Sequence, residues 1–179
     1  MSSISRAQFL RGDWRSKKPD LRPPWSMPEP MFSDTCNGCG DCVTACSQEI
    51  ISLSARKRPR LDFSQQGCTF CGDCVAACEP GALQNSTDAE NQPLQILAAI
   101  DNNCLSKRGT YCERCIEECE HQAIVAKPAM RGRFDLWVEA DLCTGCGFCV
   151  SGCPVDSISL INRPATNTRL MTGEANVSG

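Results

Sequence analysis

Four times along the chain cysteines recur at close intervals: CNGCGDCVTAC from Cys36, CTFCGDCVAAC from Cys68, CERCIEEC from Cys112 and CTGCGFCVSGC from Cys143. In each run an aliphatic residue stands five positions after the last cysteine (Ile51, Leu83, Ile124, Ile158), so one structural unit has been used four times. With 16 Cys, 1 Tyr and 6% aromatics in 179 residues, the chain has little from which to build a conventional core. Segments of about 50–60 residues bury too little apolar surface to be stable alone and lean on disulfides, metals or partners. Whatever binds the cysteines must therefore hold the fold.

An even number of cysteines also suits disulfides, but those belong to oxidising compartments. The opening MSSISRAQFLRGDWRSKKPDLRPPWSMPEP holds no continuous apolar stretch of the kind that directs export or spans a membrane. The expectation is a reducing compartment, with thiols free for metal. Zinc uses C-x2-C pairs where a second pair faces them. Here a third cysteine follows after two residues and a fourth after three more, as in Cys36, Cys39, Cys42 and Cys46. Three thiolates so spaced fold round one compact body with several metal corners. The fourth, on the first turn of a short helix, points to a neighbouring body, which is the bacterial ferredoxin pattern. Gly38, Gly40, Gly72, Gly145 and Gly147 let backbone N–H groups approach cluster sulfurs.

The exchange of fourth ligands predicts four [4Fe–4S] sites. Cys36, Cys39, Cys42 and Cys78 form the first, and Cys68, Cys71, Cys74 and Cys46 the second. Cys104, Cys112, Cys115 and Cys153 form the third, and Cys143, Cys146, Cys149 and Cys119 the fourth. The third is irregular, because seven residues, LSKRGTY, separate Cys104 from Cys112. Either they are a loop let in between two ligands, or this cluster is absent, three remain and its thiols are spare.

Between the first and second runs, IISLSARKRPRLDF is apolar, then basic with Pro59, then alternating at Leu61 and Phe63, which predicts strand, turn and strand. AIVAKPAMRGRFDLWV repeats the plan between the third and fourth, with Pro128 and Gly132 in the turn and Phe134, Leu136 and Val138 alternating. Leu94, Ile96, Ala98 and Ile100 alternate as a strand opening the second half. The fold class is α+β: two tandem dicluster ferredoxin units, mostly loops, short hairpins and short helices. The divisions are a basic arm at 1–26, a first unit at 27–83, a linker at 84–93, a second unit at 94–161 and a disordered tail at 162–179.

Net charge is −3, against a strongly basic nucleic-acid binder, although the arm itself is basic. ARKRPR, Ala55 to Arg60, reads as a solvated turn or a docking patch for an acidic partner. No phosphate-binding glycine motif gives nucleotide or flavin a footing. His121, beside Glu120, has no nucleophile or orienting partner nearby in sequence and reads as a surface residue or cluster neighbour. No small-molecule substrate or catalytic residue is expected. Trp14 and Trp25 suit an arm that packs, either on a partner or on the chain's own body.

The arm SRAQFLRGDWR followed by RPPWS, the four runs and the C-x7-C spacing at Cys104 and Cys112 resemble the NapF-type ferredoxins of the periplasmic nitrate reductase system. The likeness runs to about Ile161. It implies a cytoplasmic iron–sulfur protein that associates with the precursor of that enzyme's catalytic subunit before export and assists its maturation by supplying a cluster or electrons. The alternative is an electron-transfer ferredoxin serving a redox enzyme complex. SRAQFL, Ser5 to Leu10, lacks the second arginine of a twin-arginine export signal, and charged residues come after it, so the chain is expected to stay in the cytoplasm.

Overall fold

The computed structural model describes residues 20–84, 94–130 and 133–163. Its repeating element is a left-handed corner three residues after the last cysteine of each run: Glu49 (φ 54°), Gly81 (74°), Gln122 (51°) and Asp156 (50°). Each corner's N–H donates to the carbonyl of that cysteine, at 3.0, 3.0, 2.9 and 3.5 Å. Side chains at positive φ are strained, so it is burial of the next residues that holds the corners in place. Two residues on, Ile51, Leu83, Ile124 and Ile158 are driven into the core, each under 7% exposed. The aliphatic position found in all four runs is thus the anchor of a turn.

Helix α1 spans Glu29–Thr35. Then come single turns that carry one buried cysteine each: α2, Asp41–Thr44 with Cys42; α3, Asp73–Ala76 with Cys74; α4, Arg114–Glu117 with Cys115; α5, Phe148–Ser151 with Cys149. Helices this short do not stand by propagation and depend on tertiary contacts. Strand β1, Ile51–Leu53, pairs antiparallel with β2, Pro59–Leu61, placing Ile51 opposite Leu61. Strand β4, Ile124–Pro128, pairs with β5, Phe134–Val138, placing Ile124 opposite Val138. Both expected hairpins are therefore present. Pro128 ends β4 opposite Phe134 rather than standing in the turn; the neighbouring Ala129 bonds Arg133 O, so Pro128 lies at a non-bonded pair where its missing N–H costs no ladder bond.

Strand β3, Ile96–Ile100, pairs antiparallel with β6, Ile158–Asn162. Strand β6 passes Ile161, and the N–H of Arg163 donates to Gln95 O at 2.8 Å, so ordered chain reaches beyond the expected start of the tail. Leu94, Ile96, Ala98 and Ile100 are all buried, but so is Leu97, at 0% exposure. The alternation fails because β3 lies between two cores: Leu94 and Ile96 pack with the first half, and Leu97, Ala98 and Ile100 with the second.

The first half is closed by residues 21–27. Ser26 bridges Leu83, Met27 N–H donates to Ala82 O (3.1 Å), Gln84 N–H to Trp25 O (2.9 Å) and Leu61 N–H to Leu21 O (2.8 Å). Arg22 fixes this segment through a forked pair with Glu29 (3.0 and 2.7 Å), a bond to Pro59 O (2.9 Å) and stacking 4.9 Å over the Phe32 ring. The described end of the arm thus packs on the chain's own body, and Trp25 meets Phe70 edge to face at 6.1 Å. Trp14, the export-signal comparison at Ser5 to Leu10, most of the linker and the tail after Arg163 lie outside the described residues.

Candidate metal centres

Cysteines are gathered by two devices. Between the first and second cysteine of a run, Gly38 and Gly145 (both φ 75°) and Phe70 (φ 54°) take a left-handed turn. After the second cysteine, Gly40, Gly72 and Gly147 turn again, at φ 92°, 85° and 86°, and start the single-turn helix that carries the third. The fourth cysteine of each run follows that helix, and in three of the sites it stands with the first three cysteines of the other run in its half.

Cys36, Cys39, Cys42 and Cys78 line one cavity. Cys46, Cys68, Cys71 and Cys74 line a second, walled by Trp25 and Phe70. Cys119, Cys143, Cys146 and Cys149 line another, which His121 also borders. In the remaining set, the Cys115 thiol lies within electrostatic reach of Cys104, Cys112 and Cys153. All sixteen cysteines are free thiols. Among the described residues no group of three or more Cys, His, Asp or Glu is placed to hold a single metal ion. The thiols surround volumes, not points.

Burial pushes the Cys42, Cys68 and Cys74 thiols up to about 11 and Cys115 up to about 12, and it raises Cys149 too. Neighbouring cysteines of the same set push the same way, while the Phe70 N–H opposes the shift at Cys68. Four thiolates crowded into so dry a space need a cation among them, and a cluster's iron supplies it. Donors to sulfur are already in place: Phe70 N–H to Cys68 Sγ (3.4 Å), Ala123 N–H to Cys119 Sγ (3.3 Å) and Ser157 N–H to Cys153 Sγ (3.4 Å). The Thr144 hydroxyl is buried without a partner on the wall of the cavity holding Cys143, Cys146 and Cys149. A buried orphan hydroxyl is costly, and a cluster sulfide would accept its hydrogen bond. The residues fit [4Fe–4S] cubanes.

The third run departs from the others where its sequence does. Glu113 occupies the place of Gly40 and has an ordinary φ of −124°. Its insert is a closed turn, with Arg108 N–H donating to Cys104 O and Leu105 O (both 3.0 Å), Thr110 N–H to Leu105 O (2.9 Å) and Gly109 at φ 89°. Ser106, 4% exposed, donates to Cys112 O at 2.5 Å. Lys107 Nζ donates to Ile100 O at 2.9 Å, near Cys104. Ser106 and Ser157 carried no signal in the sequence. Thr144 did, because CTFC and CTGC share a threonine at Thr69 and Thr144, and both border a cavity.

Two family models, each described as a 4Fe-4S dicluster domain, match residues 35–106 and 98–160. The ferredoxin-type protein NapF of Escherichia coli K12 is 35% identical over 155 residues, covering 87% of this chain and 93% of that protein. The chain belongs to the NapF-type ferredoxin family. NapF of Haemophilus influenzae Rd is 34% identical over 170 residues, 89% of this chain and 95% of its own length. Ferredoxin-type protein NapG of Escherichia coli K12 is 30% identical, covering 76% and 67%. As a NapF-type ferredoxin the chain is two tandem dicluster domains, and its sixteen cysteines fit four [4Fe–4S] clusters. Among the described residues no helix is long and apolar enough to cross a membrane.

Proposed function

We propose that this NapF-type ferredoxin is a cytoplasmic polyferredoxin that assists maturation of the catalytic subunit of periplasmic nitrate reductase before export, and is not itself an enzyme. In this reading its partner is the subunit's cytoplasmic precursor, with no nucleic acid, membrane span or small-molecule substrate involved. The observation that carries it is similarity to NapF proteins along 87% of the chain.

Three of the ligand sets are supported by the cavities that their cysteines line, and the remaining one by the electrostatic proximity of its thiols. Cys36, Cys39, Cys42 and Cys78 hold the first cluster, and Cys68, Cys71, Cys74 and Cys46 the second. Cys104, Cys112, Cys115 and Cys153 hold the third, and Cys143, Cys146, Cys149 and Cys119 the fourth. The functional units are 27–83 and 94–161. Bound clusters supply one-electron chemistry at each site. The protein's part is to align thiolates, to exclude water around Cys42, Cys74, Cys115 and Cys149, and to donate N–H groups that stabilise charge on sulfur. Exposed Cys39 and Cys71 suit a cluster or electron handed to a client.

The test is to delete the gene, purify the exported nitrate reductase and assay it with an artificial electron donor, which bypasses natural carriers. Low activity with a missing cluster in that enzyme supports maturation. Full activity with the artificial donor but none with the physiological one overturns it in favour of the second reading, an electron carrier. That reading is favoured by direct contact between the two halves at cysteines, where Cys68 N–H donates to Cys146 O at 2.7 Å.

A further inference from the structure

The two halves could meet anywhere, yet they meet at cysteines of the second and fourth sites. Besides the 2.7 Å bond from Cys68 N–H to Cys146 O, the Cys68 thiol lies within electrostatic reach of Cys146. Two aromatic rings, one from each half, cover the glycines beside this bond. Phe148, which opens α5, lies over Gly67, where an added Cβ would come within 2.5 Å of the ring. Phe63 of the first half lies over Gly147 of the second in the same way, leaving no room for a side chain there. Each glycine directly adjoins a cysteine of the bond, Gly67 before Cys68 and Gly147 after Cys146, so the absence of two side chains lets the loops touch. Within each half the sites are also neighbours: Cys42 is in electrostatic reach of Cys74, and Cys149 of Cys115.

We propose that the Cys68–Cys146 hydrogen bond, clamped by Phe63 over Gly147 and Phe148 over Gly67, is an electronic junction that joins the two dicluster halves into one path, running first site, second, fourth, third. The path from Cys68 Sγ to Cys146 Sγ is covalent except for one short hydrogen bond, so the junction conducts through bonds rather than through solvent. With clusters bound at the second and fourth sites, an electron supplied by a low-potential one-electron donor would cross by way of Cys68 and Cys146, one site being reoxidised as the other is reduced. No atom is transferred. This rests on the ligand sets of the proposed function.

The test separates the two. In the full chain, Cys39→Ala with Cys112→Ala should empty the first and third sites and halve the iron, leaving the second and fourth clusters. After reduction with dithionite, paramagnetic resonance of this variant should show two spins that split each other's lines. Adding Gly67→Val should leave iron and visible absorption unchanged and abolish the splitting. If iron does not halve, the ligand sets fail and the junction with them. If it halves and the two spins are independent, the junction alone is overturned. Should Gly67→Val lose iron, Phe148→Leu opens the same clamp without adding an atom to the cysteine loop. Splitting that survives Phe148→Leu overturns the role of the clamp. As a check in the chain with all cysteines present, Phe148→Leu should slow spin relaxation of the reduced clusters; unchanged relaxation counts against the junction.

Discussion

Ser106 donates its hydroxyl hydrogen to the carbonyl of Cys112 across 2.5 Å, from a position 4% exposed. That bond ties the second residue of the insert to the cysteine that follows it, closing most of the loop on itself. Ser106→Ala should remove this partner from the part-buried Cys112 carbonyl, at a cost of about 1 kcal/mol. Iron content of the reconstituted variant measures it: selective loss of one cluster's iron is expected, and full retention with unchanged thermal stability would show the bond to be incidental.

Lys107 places an ammonium group beside Cys104, held by its bond to Ile100 O. Nearby positive charge favours the more negative, reduced form of a cluster. Lys107→Gln should lower one reduction potential by on the order of tens of millivolts, the scale of one screened charge, and leave the others nearly unchanged. A redox titration monitored by paramagnetic resonance reads this directly; a uniform shift of every centre would argue for a general loss of structure.

Cys39 and Cys71 are exposed, whereas every cysteine of the second half is buried or half-buried. Chelators and oxidants should therefore strip the first half sooner. Iron release is expected in two phases, with alkylation at Cys39 and Cys71 appearing in the fast one. One uniform phase would refute the asymmetry.

Iron loading should strengthen with rising pH. The apo thiols of Cys42, Cys68 and Cys74 hold their protons up to about 11, and Cys115 up to about 12. Raised values mean that the protonated form is favoured throughout the neutral range, so each thiolate given to iron releases a proton. Anaerobic competition against a chelator, corrected for the chelator's own protonation, should favour the protein more at about pH 9 than at about pH 7. A flat profile would mean that the thiols are ionised before iron arrives.

The cysteine spacing made the four-fold plan and both hairpins legible, because ligand geometry and alternation are short-range properties written within one run. The closing segment 21–27 was not, since Leu21 and Trp25 bond to Leu61 and Gln84, far along the chain. The burial of Leu97 escaped for the same reason: alternation describes a strand with one wet face, and β3 has none. Ser106, Thr144 and Ser157 matter through what they approach in space, and only Thr144 had a counterpart, Thr69, to give it away.

Leu94 and the first residue of β3, Ile96, belong to one core and Leu97, Ala98 and Ile100 of the same strand to the other, and the two family models overlap across residues 98–106. The chain consequently has no clean seam for dissection. A fragment begun at Leu94 would carry bare aliphatic side chains where the missing half had lain, and it would be prone to self-association. One ended at Gln84 would have lost two residues from the floor of its own interior. The chain holds two copies of one plan but not two separable proteins, and swapping either half for that of a relative would require the strand between them to be matched to both neighbours at once.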